Sequence, residues 1–323
     1  MNILVIRFSA LGDLVTLEPM FRAIRYFYPN AKIDFITSGL GKGLFCDTNY
    51  FDEYIVHKSF ISSVQSLRSK HYDLVFNLHC NSLSHLLILL CSKTKVINSA
   101  ATLWQKLRGK KVPVKPIIET LLKTTIDKQK IEKYFNDDNA QIVTLPVHNA
   151  IKVNSTNQKI VALSTGSSNP WPSKQWGVNK YADLIQKLLD DDVCVVLIGT
   201  DLEIEDETIL RERFPMIQSF VAKTNLTQLK DILSQADMYI GNDSGPSHIA
   251  AAVQTNTVTI FGPTSTVHCV KYAPYHGKHV CIKPSEKIAC HPCYKGVCPT
   301  KLECMEDIKV DYVYMSVKEL IDA

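Results

Sequence analysis

Three features could carry chemistry: a carboxylate near the start, a lysine mid-chain and a small-residue turn in the last third. Asp13 closes the turn Ser9-Ala10-Leu11-Gly12-Asp13, directly after the strand-like run Asn2–Ile6. A carboxylate at the carboxyl end of a parallel strand faces the ligand edge of the sheet. There it could take a proton from a hydroxyl nucleophile. The alternative is a helix cap ahead of Leu14, which position alone favours. Lys174, in the segment PWPSKQW, could neutralise a pyrophosphate as a point charge. The alternative is an exposed lysine beside a core tryptophan.

The stretch Asp237–Ala252 reads DMYIGNDSGPSHIAAA. Strand, small polar turn and helix follow in that order, so unpaired amides and the helix dipole both favour an anion. Asp243 and Ser244 form the turn. Gly245 has no Cβ to keep a bulky anion from the backbone. His248 could touch a phosphate or pack. The plain alternative is an Asp/Ser cap on an ordinary strand–helix unit. A second turn, Gly262-Pro263-Thr264, ends the β-rich run Thr257–Phe261. Thr165 and Gly166 end the strand-like run Lys159–Ser164 in the same manner. Asp201, two residues after Gly199, is placed for a ribose hydroxyl or for a helix cap. Asp190–Asp192 reads as a solvated run. A dinucleotide fingerprint is absent, because Gly12 is the only glycine before Gly39.

Four cysteines, Cys290, Cys293, Cys298 and Cys304, fall within fifteen residues. Four thiolates so spaced can surround one tetrahedral metal, and Pro292, Gly296 and Pro299 keep the segment looped. Zinc is the default ion, and such a closed finger serves structure or assembly. Cys46, Cys80, Cys91, Cys194, Cys269 and Cys281 are scattered and are expected to be reduced, packing as small apolar residues.

The elements that position these residues follow from length and pattern. At 323 residues, 46% of them hydrophobic, the chain has material for two cores. Strand-like runs at 2–6, 32–37, 53–57, 73–78 and 94–98 alternate with helical segments, including Leu14–Phe27 and Lys123–Phe135. The pattern restarts with strands at 159–164, 193–198 and 217–222, and helices at 176–190, 203–214 and 227–236, the last with Thr227 as N-cap. Alternation of this kind predicts parallel sheets covered on both faces. It predicts two Rossmann-like halves with a linker near residue 150 and a nucleotide-type ligand between them.

Residues 1–150 carry 19 Lys+Arg and 12 Asp+Glu, the remainder 17 and 20. No acidic residue lies between Asp73 and Glu119, where Lys93, Lys95, Lys106, Arg108, Lys110, Lys111 and Lys115 fall. A one-signed stretch suits an anionic partner: phosphorylated glycolipid, membrane surface or nucleic acid. The opening apolar run is too short for a secretory segment, and Leu86–Cys91 is too short to span a bilayer. A cytoplasmic location follows as the expectation.

Three motifs together resemble glycosyltransferase family 9, the ADP-heptose heptosyltransferases. They are ILVIRFSALGDLVTLEP at 3–19, SKQW at 173–176, and GNDSGPSHIAAA with IFGPT within 241–264. The resemblance covers nearly the whole chain. It implies an α/β GT-B fold, two Rossmann-like domains facing across a cleft, with the cysteine-rich finger at the C-terminal end. Residues 1–150 would bind acceptor. Residues 151–323, including the finger at 290–304, would bind the nucleotide-sugar donor.

By the same resemblance Asp13 is the catalytic base and Lys174 binds donor phosphate. Thr165, Gly166 and Asp243–His248 line the donor pocket, Arg7 and Ser9 lie near the acceptor, and Asp201 is carried over on one glycine. The reaction would invert the anomeric centre, with no divalent metal required if these groups stabilise the leaving diphosphate. The acceptor would be the inner core of lipopolysaccharide on lipid A, reached at the inner-membrane face. Some family members resemble the four-cysteine pattern and hold iron there, which leaves zinc or iron, and a homo-oligomer, open.

Two alternatives stand beside this reading. One keeps the donor and heptosylates a protein hydroxyl, as for autotransporter adhesins. The other, of a different class, is a non-catalytic metal-finger module binding nucleic acid. Against the second, only Trp104 is interleaved with the lysines, too few aromatics for base stacking.

Overall fold

A computed structural model describes residues 1–91, 95–98, 121–137, 140, 142–155, 158–167, 171–266, 269–270, 275–284 and 288–322. Of the acid-free basic stretch only Lys95 falls among them. Lys93, Lys106, Arg108, Lys110, Lys111 and Lys115 lie outside the described residues, as does Trp104. No helix among the described residues is long and apolar enough to cross a membrane.

The chain divides into two compact units, Met1–Thr144 and Leu145–Ala323. The first contains β1 (Asn2–Ile6), α1 (Leu11–Thr16), α2 (Glu18–Phe27), β2 (Lys32–Thr37), α3 (Gly39–Phe45) and β3 (Glu53–Val56). It continues with α4 (Phe60–Arg68), β4 (Leu74–Asn77), α5 (Ser82–Cys91), β5 (Lys95–Asn98) and α6 (Lys128–Tyr134). Its strands are parallel and ordered β3-β2-β1-β4-β5. Ile3, Val5, Ile6, Ile33, Phe35 and Phe76 are fully buried. Strands covered on both faces read as nearly continuous apolar runs, which is why β1 and β2 stand out in the sequence.

The expected single helix Leu14–Phe27 is instead two. It breaks at Leu17, and Pro19 occupies the first turn of α2. Proline lacks the N–H that would continue α1 but fits a helix start. Glu18 opens α2 and is fully buried. Its carboxylate accepts from Arg22 Nε (3.0 Å), the Tyr50 hydroxyl (2.5 Å) and the Thr144 N–H (3.1 Å). Arg22 also donates to the Ile142 carbonyl at 2.7 Å. Burial pushes the Glu18 carboxyl up from its ordinary value, against the pull of Arg22.

The second unit contains β6 (Ile160–Ser164), α7 (Val178–Asp190), β7 (Cys194–Leu197), α8 (Ile204–Arg213), β8 (Gln218–Ser219) and α9 (Leu226–Gln235). Then come β9 (Met238–Asn242), α10 (Gly245–Ala252), β10 (Asn256–Ile260), β11 (His279–Ile282), α11 (Glu303–Glu306) and α12 (Val310–Ile321). The parallel strands run β11-β10-β9-β6-β7-β8. Strand β11 is absent from the sequence reading. Helix α9 is capped by Asn225, whose side-chain oxygen accepts the Gln228 N–H at 2.9 Å, in place of the expected Thr227. Asparagine caps well, and the helix buries Ile232 and Leu233.

Residues 148–153 are bound to α9 by side-chain acceptors. Fully buried Asp231 takes the N–H groups of His148 (2.7 Å), Asn149 (3.0 Å) and Ala150 (2.8 Å). Gln235 takes that of Val153 at 3.1 Å. Backbone amides claimed in this way leave no trace in the apolar pattern from which a linker near residue 150 is read.

Burial pushes the Asp231 carboxyl up, but the three amides outweigh it and hold the group below its ordinary value. A folded pKa below the unfolded one stabilises above the unfolded value, about 3.9, and that contribution is lost as pH falls through the folded value. Asp231→Asn places an amide NH2 or a neutral oxygen against these donors. It is expected to cost about 1–3 kcal/mol near neutral pH. Urea denaturation should also find the variant's stability less acid-sensitive than the wild type's below about pH 4.

Candidate functional site

In the first sheet the strand order reverses between β1 and β4, where open α/β sheets take their ligands. Arg7 follows β1, and Leu78 and His79 follow β4. Arg7 Nη1 donates to the Leu78 carbonyl at 2.8 Å, and Nη2 donates to Asp13 Oδ2 at 2.5 Å. The Arg7 side chain is 14% exposed and that of Asp13 is 63% exposed. Asp13 is the third residue of α1, and Oδ2 also accepts the Ala10 N–H at 3.4 Å. One carboxylate therefore serves the helix start and stands at the sheet's ligand edge. Ser9 is exposed and joins Ala10 through a cis peptide.

Two histidines missed in the sequence stand at the same edge. His57 follows β3 and His79 follows β4, with the Phe8 ring 4.7 Å from the first and 4.9 Å from the second. Burial, reinforced by Arg7, lowers the His79 pKa to about 4, so the ring is neutral at physiological pH. The available signal was positional, since each follows a strand end as Arg7 does.

In the second sheet the order reverses between β6 and β9. Thr165 and Gly166 follow β6 and are buried. Asn242, the last residue of β9, donates its amide to the carbonyls of Thr165 (2.6 Å) and Gly166 (3.0 Å). Its side-chain oxygen accepts the Tyr181 hydroxyl at 3.0 Å. Asp243 comes next. Its Oδ2 accepts from Lys174 Nζ and from Thr264 Oγ1, each at 2.7 Å, and its main-chain carbonyl accepts from Lys174 at 3.2 Å.

The Lys174 and Asp243 side chains are 14% and 11% exposed. Lys174 ends a short 3-10 turn, Pro172–Lys174, with its ammonium 5.1 Å from the centre of the Trp171 ring. An ammonium has three N–H donors. Among the described residues Asp243 takes two, which leaves one to offer an anion.

Helix α10 begins at Gly245. Its N-cap Ser244 makes no capping bond, and the hydroxyl turns to the Asn242 carbonyl at 3.2 Å. The positive end of the helix dipole thus lies next to Lys174's partner. His248 Nδ1 lies 3.0 Å from the Tyr275 hydroxyl. Asp201 is exposed in the 3-10 turn Asp201–Glu203.

Glu203, missed in the sequence, is the buried acid of that loop. It accepts the Thr200 N–H (2.5 Å) and hydroxyl (2.9 Å), and its carboxylate lies against Gly166 and Gly199. A Cβ built at Gly166 would stand 1.7 Å from Glu203 Oε1. The signal for Glu203 was a capping box, with Thr200 and an acid three residues on.

The cysteines depart from expectation in two ways. Cys269 and Cys281 form a disulfide with Cα atoms 6.3 Å apart. Strand β11 carries Cys281 up to Cys269, so these two are bonded and are not the separate packing thiols expected. Cys290, Cys293, Cys298 and Cys304 are free thiols. Among the described residues no three His, Cys, Asp or Glu side chains are placed to share an ion.

Cys304 is buried on α11, Cys298 lies 3.4 Å from the Thr300 hydroxyl, and Cys290 is exposed. Burial, with Cys293, Cys290 and Cys298 adding repulsion, pushes the Cys304 thiol up to about 11.

Residues 60–303 match the family model of glycosyltransferase family 9 (heptosyltransferase). The chain belongs to glycosyltransferase family 9. Lipooligosaccharide heptosyltransferase 2 of Campylobacter jejuni is 30% identical to this family 9 chain over 169 residues, 51% of either protein. The chain therefore matches about half the length of that relative. Lipopolysaccharide heptosyltransferase 3 of Escherichia coli is 24% identical over 290 residues, covering 79% of this chain and 81% of the relative. The structure of E. coli ADP-heptose lps heptosyltransferase II matches with a TM-score of 0.70 at 21% identity, over 99% of this chain and 98% of that one. The likeness is one of fold: two parallel-sheet α/β units of GT-B type.

Asn242 is fully buried and satisfies three polar partners at the rim of the second sheet. Asn242→Leu leaves them unpaired and is expected to cost about 2–4 kcal/mol, read as a lowered urea midpoint at unchanged slope.

Proposed function

We propose that the chain is an inverting heptosyltransferase that moves a heptose from ADP-heptose to a hydroxyl of the lipopolysaccharide inner core. Family membership supports the reaction class. The observation that carries the reading is the Lys174–Asp243–Thr264 knot beside the start of α10, at the strand reversal of the second sheet. In this reading the first unit binds acceptor and the second binds donor.

The donor diphosphate takes the third N–H of Lys174 and the N-terminal end of α10, at Ser244 and Gly245. Thr165 and Gly166 form the wall across the reversal, and His248 stands one turn into the helix. An acid after the second strand is where Rossmann-type sites hold ribose. Asp201 and Glu203 share that loop, and Glu203 is the buried one.

Arg7 and Ala10 both use Asp13 Oδ2, so Oδ1 is the oxygen offered to the acceptor. The acceptor hydroxyl gives its proton to Asp13 as its oxygen bonds to the anomeric carbon. The bond from that carbon to the diphosphate breaks, and ADP leaves from the opposite face with the electron pair. Lys174 and the α10 terminus stabilise the charge that grows on the leaving oxygens. Arg7 holds the base in place, and exposed Ser9 is a contact for the acceptor sugar.

An acceptor rich in phosphate at the cytoplasmic membrane face agrees with the acid-free lysine stretch of the sequence. ADP release from ADP-heptose, with truncated lipopolysaccharide as acceptor, tests the reading. Asp13→Asn is expected to lower kcat at least about 100-fold with little change in donor KM. Full activity in that variant would remove Asp13 as base. Transfer to an adhesin passenger domain, with none to lipopolysaccharide, would move the acceptor class to protein.

A further inference from the structure

We propose that the cysteine-bearing loop is a positioning strap for the anion-binding knot of the second unit, with residues Cys293–Gly296 as its working part. The proposal rests on the donor-site reading above. The loop grips two arms of the knot through main-chain groups.

On one arm, the Ser173 N–H donates to the Gly296 carbonyl at 3.1 Å, and Ser173 Oγ donates to the Lys295 carbonyl at 2.6 Å. Ser173 is 3% exposed and directly precedes Lys174. On the other arm, the N–H groups of Cys293 and Tyr294 both donate to the Pro263 carbonyl at 3.0 Å. Pro263 directly precedes Thr264, whose hydroxyl holds Asp243. Tyr294 has a left-handed backbone (φ 53°). That turn lets the amides of one residue pair and the carbonyls of the next serve different neighbours.

The need for a strap follows from the parts it holds. Lysine is a flexible four-carbon stem with a point charge, so its aim depends on its backbone. That backbone is a three-residue 3-10 turn, too short to be rigid alone. Because the strap acts through main-chain atoms, its path matters more than its side chains. Three of the four clustered thiols, those of Cys290, Cys293 and Cys298, lie in or beside it.

The test is Ser173→Ala in the full chain, with ADP and adenosine binding measured by calorimetry. Lys174 acts on the diphosphate alone, so mispositioning should separate the two ligands. We expect the Kd for ADP to rise roughly three- to tenfold, the loss of about one hydrogen bond, with adenosine changed less than about twofold. Equal weakening of both ligands, or unchanged ADP binding, overturns the strap.

A second variant leaves Ser173 intact: one glycine inserted between Gly296 and exposed Val297, expected to give the same ADP-selective loss. Lys174→Ala separates the strap from the reading it rests on. If that variant binds ADP as the wild type does, the donor-site reading falls. If it weakens ADP while both strap variants do not, only the strap falls.

Discussion

Each unit is organised by one topological constraint: its parallel strand order reverses once. Crossovers between parallel strands are right-handed, so the connections on the two sides of the reversal leave toward opposite faces. That divergence opens a crevice between the two strands. Both units bridge it with one polar side chain reaching carbonyls on the far side. Arg7 spans from β1 to the Leu78 carbonyl in the first, and Asn242 spans from β9 to Thr165 and Gly166 in the second. These ties fix the strand ends on either side of each reversal.

The two rims differ in how charge is held. In the first, a mostly buried arginine anchors an exposed carboxylate, which leaves one oxygen turned to solvent. That arrangement suits a group that must accept a proton. In the second, both members of the ion pair are nearly buried. Removing either would leave an uncompensated charge in a low-dielectric site, so Lys174 and Asp243 act as one unit. A pair already aligned would need little reorganisation to meet an anion.

The frame was legible in the sequence where burial is two-sided. Strands β1 and β2 match their apolar runs to the residue, because helices cover both faces. Strand β11 was not, since three of its four residues are half-buried. Helix α3 begins Gly-Leu-Gly-Lys-Gly and has weak intrinsic propensity, so tertiary packing and the Ser38 cap must hold it. Asp13, Lys174 and Asp243 were visible as residue types after strand ends. Their partners were not. Lys174 and Asp243 are 69 residues apart, and no local pattern encodes such a pairing. Glu203 was passed over for Asp201 because exposure cannot be judged from a loop's composition. The four-cysteine spacing gave no sign of the hydrogen bonds that tie the same loop to Ser173 and Pro263.

The contact between Gly166 and the Glu203 carboxylate also bears on how this chain can diverge. The two positions compete for one volume, so their tolerances are epistatic. A side chain gained at 166 requires the Glu203 carboxylate to turn away from Thr200, or residue 203 to be shorter. Taken with the change at 166 first, the same two changes pass through an intermediate in which Glu203 must give up its bonds to Thr200, which makes that path the costlier one.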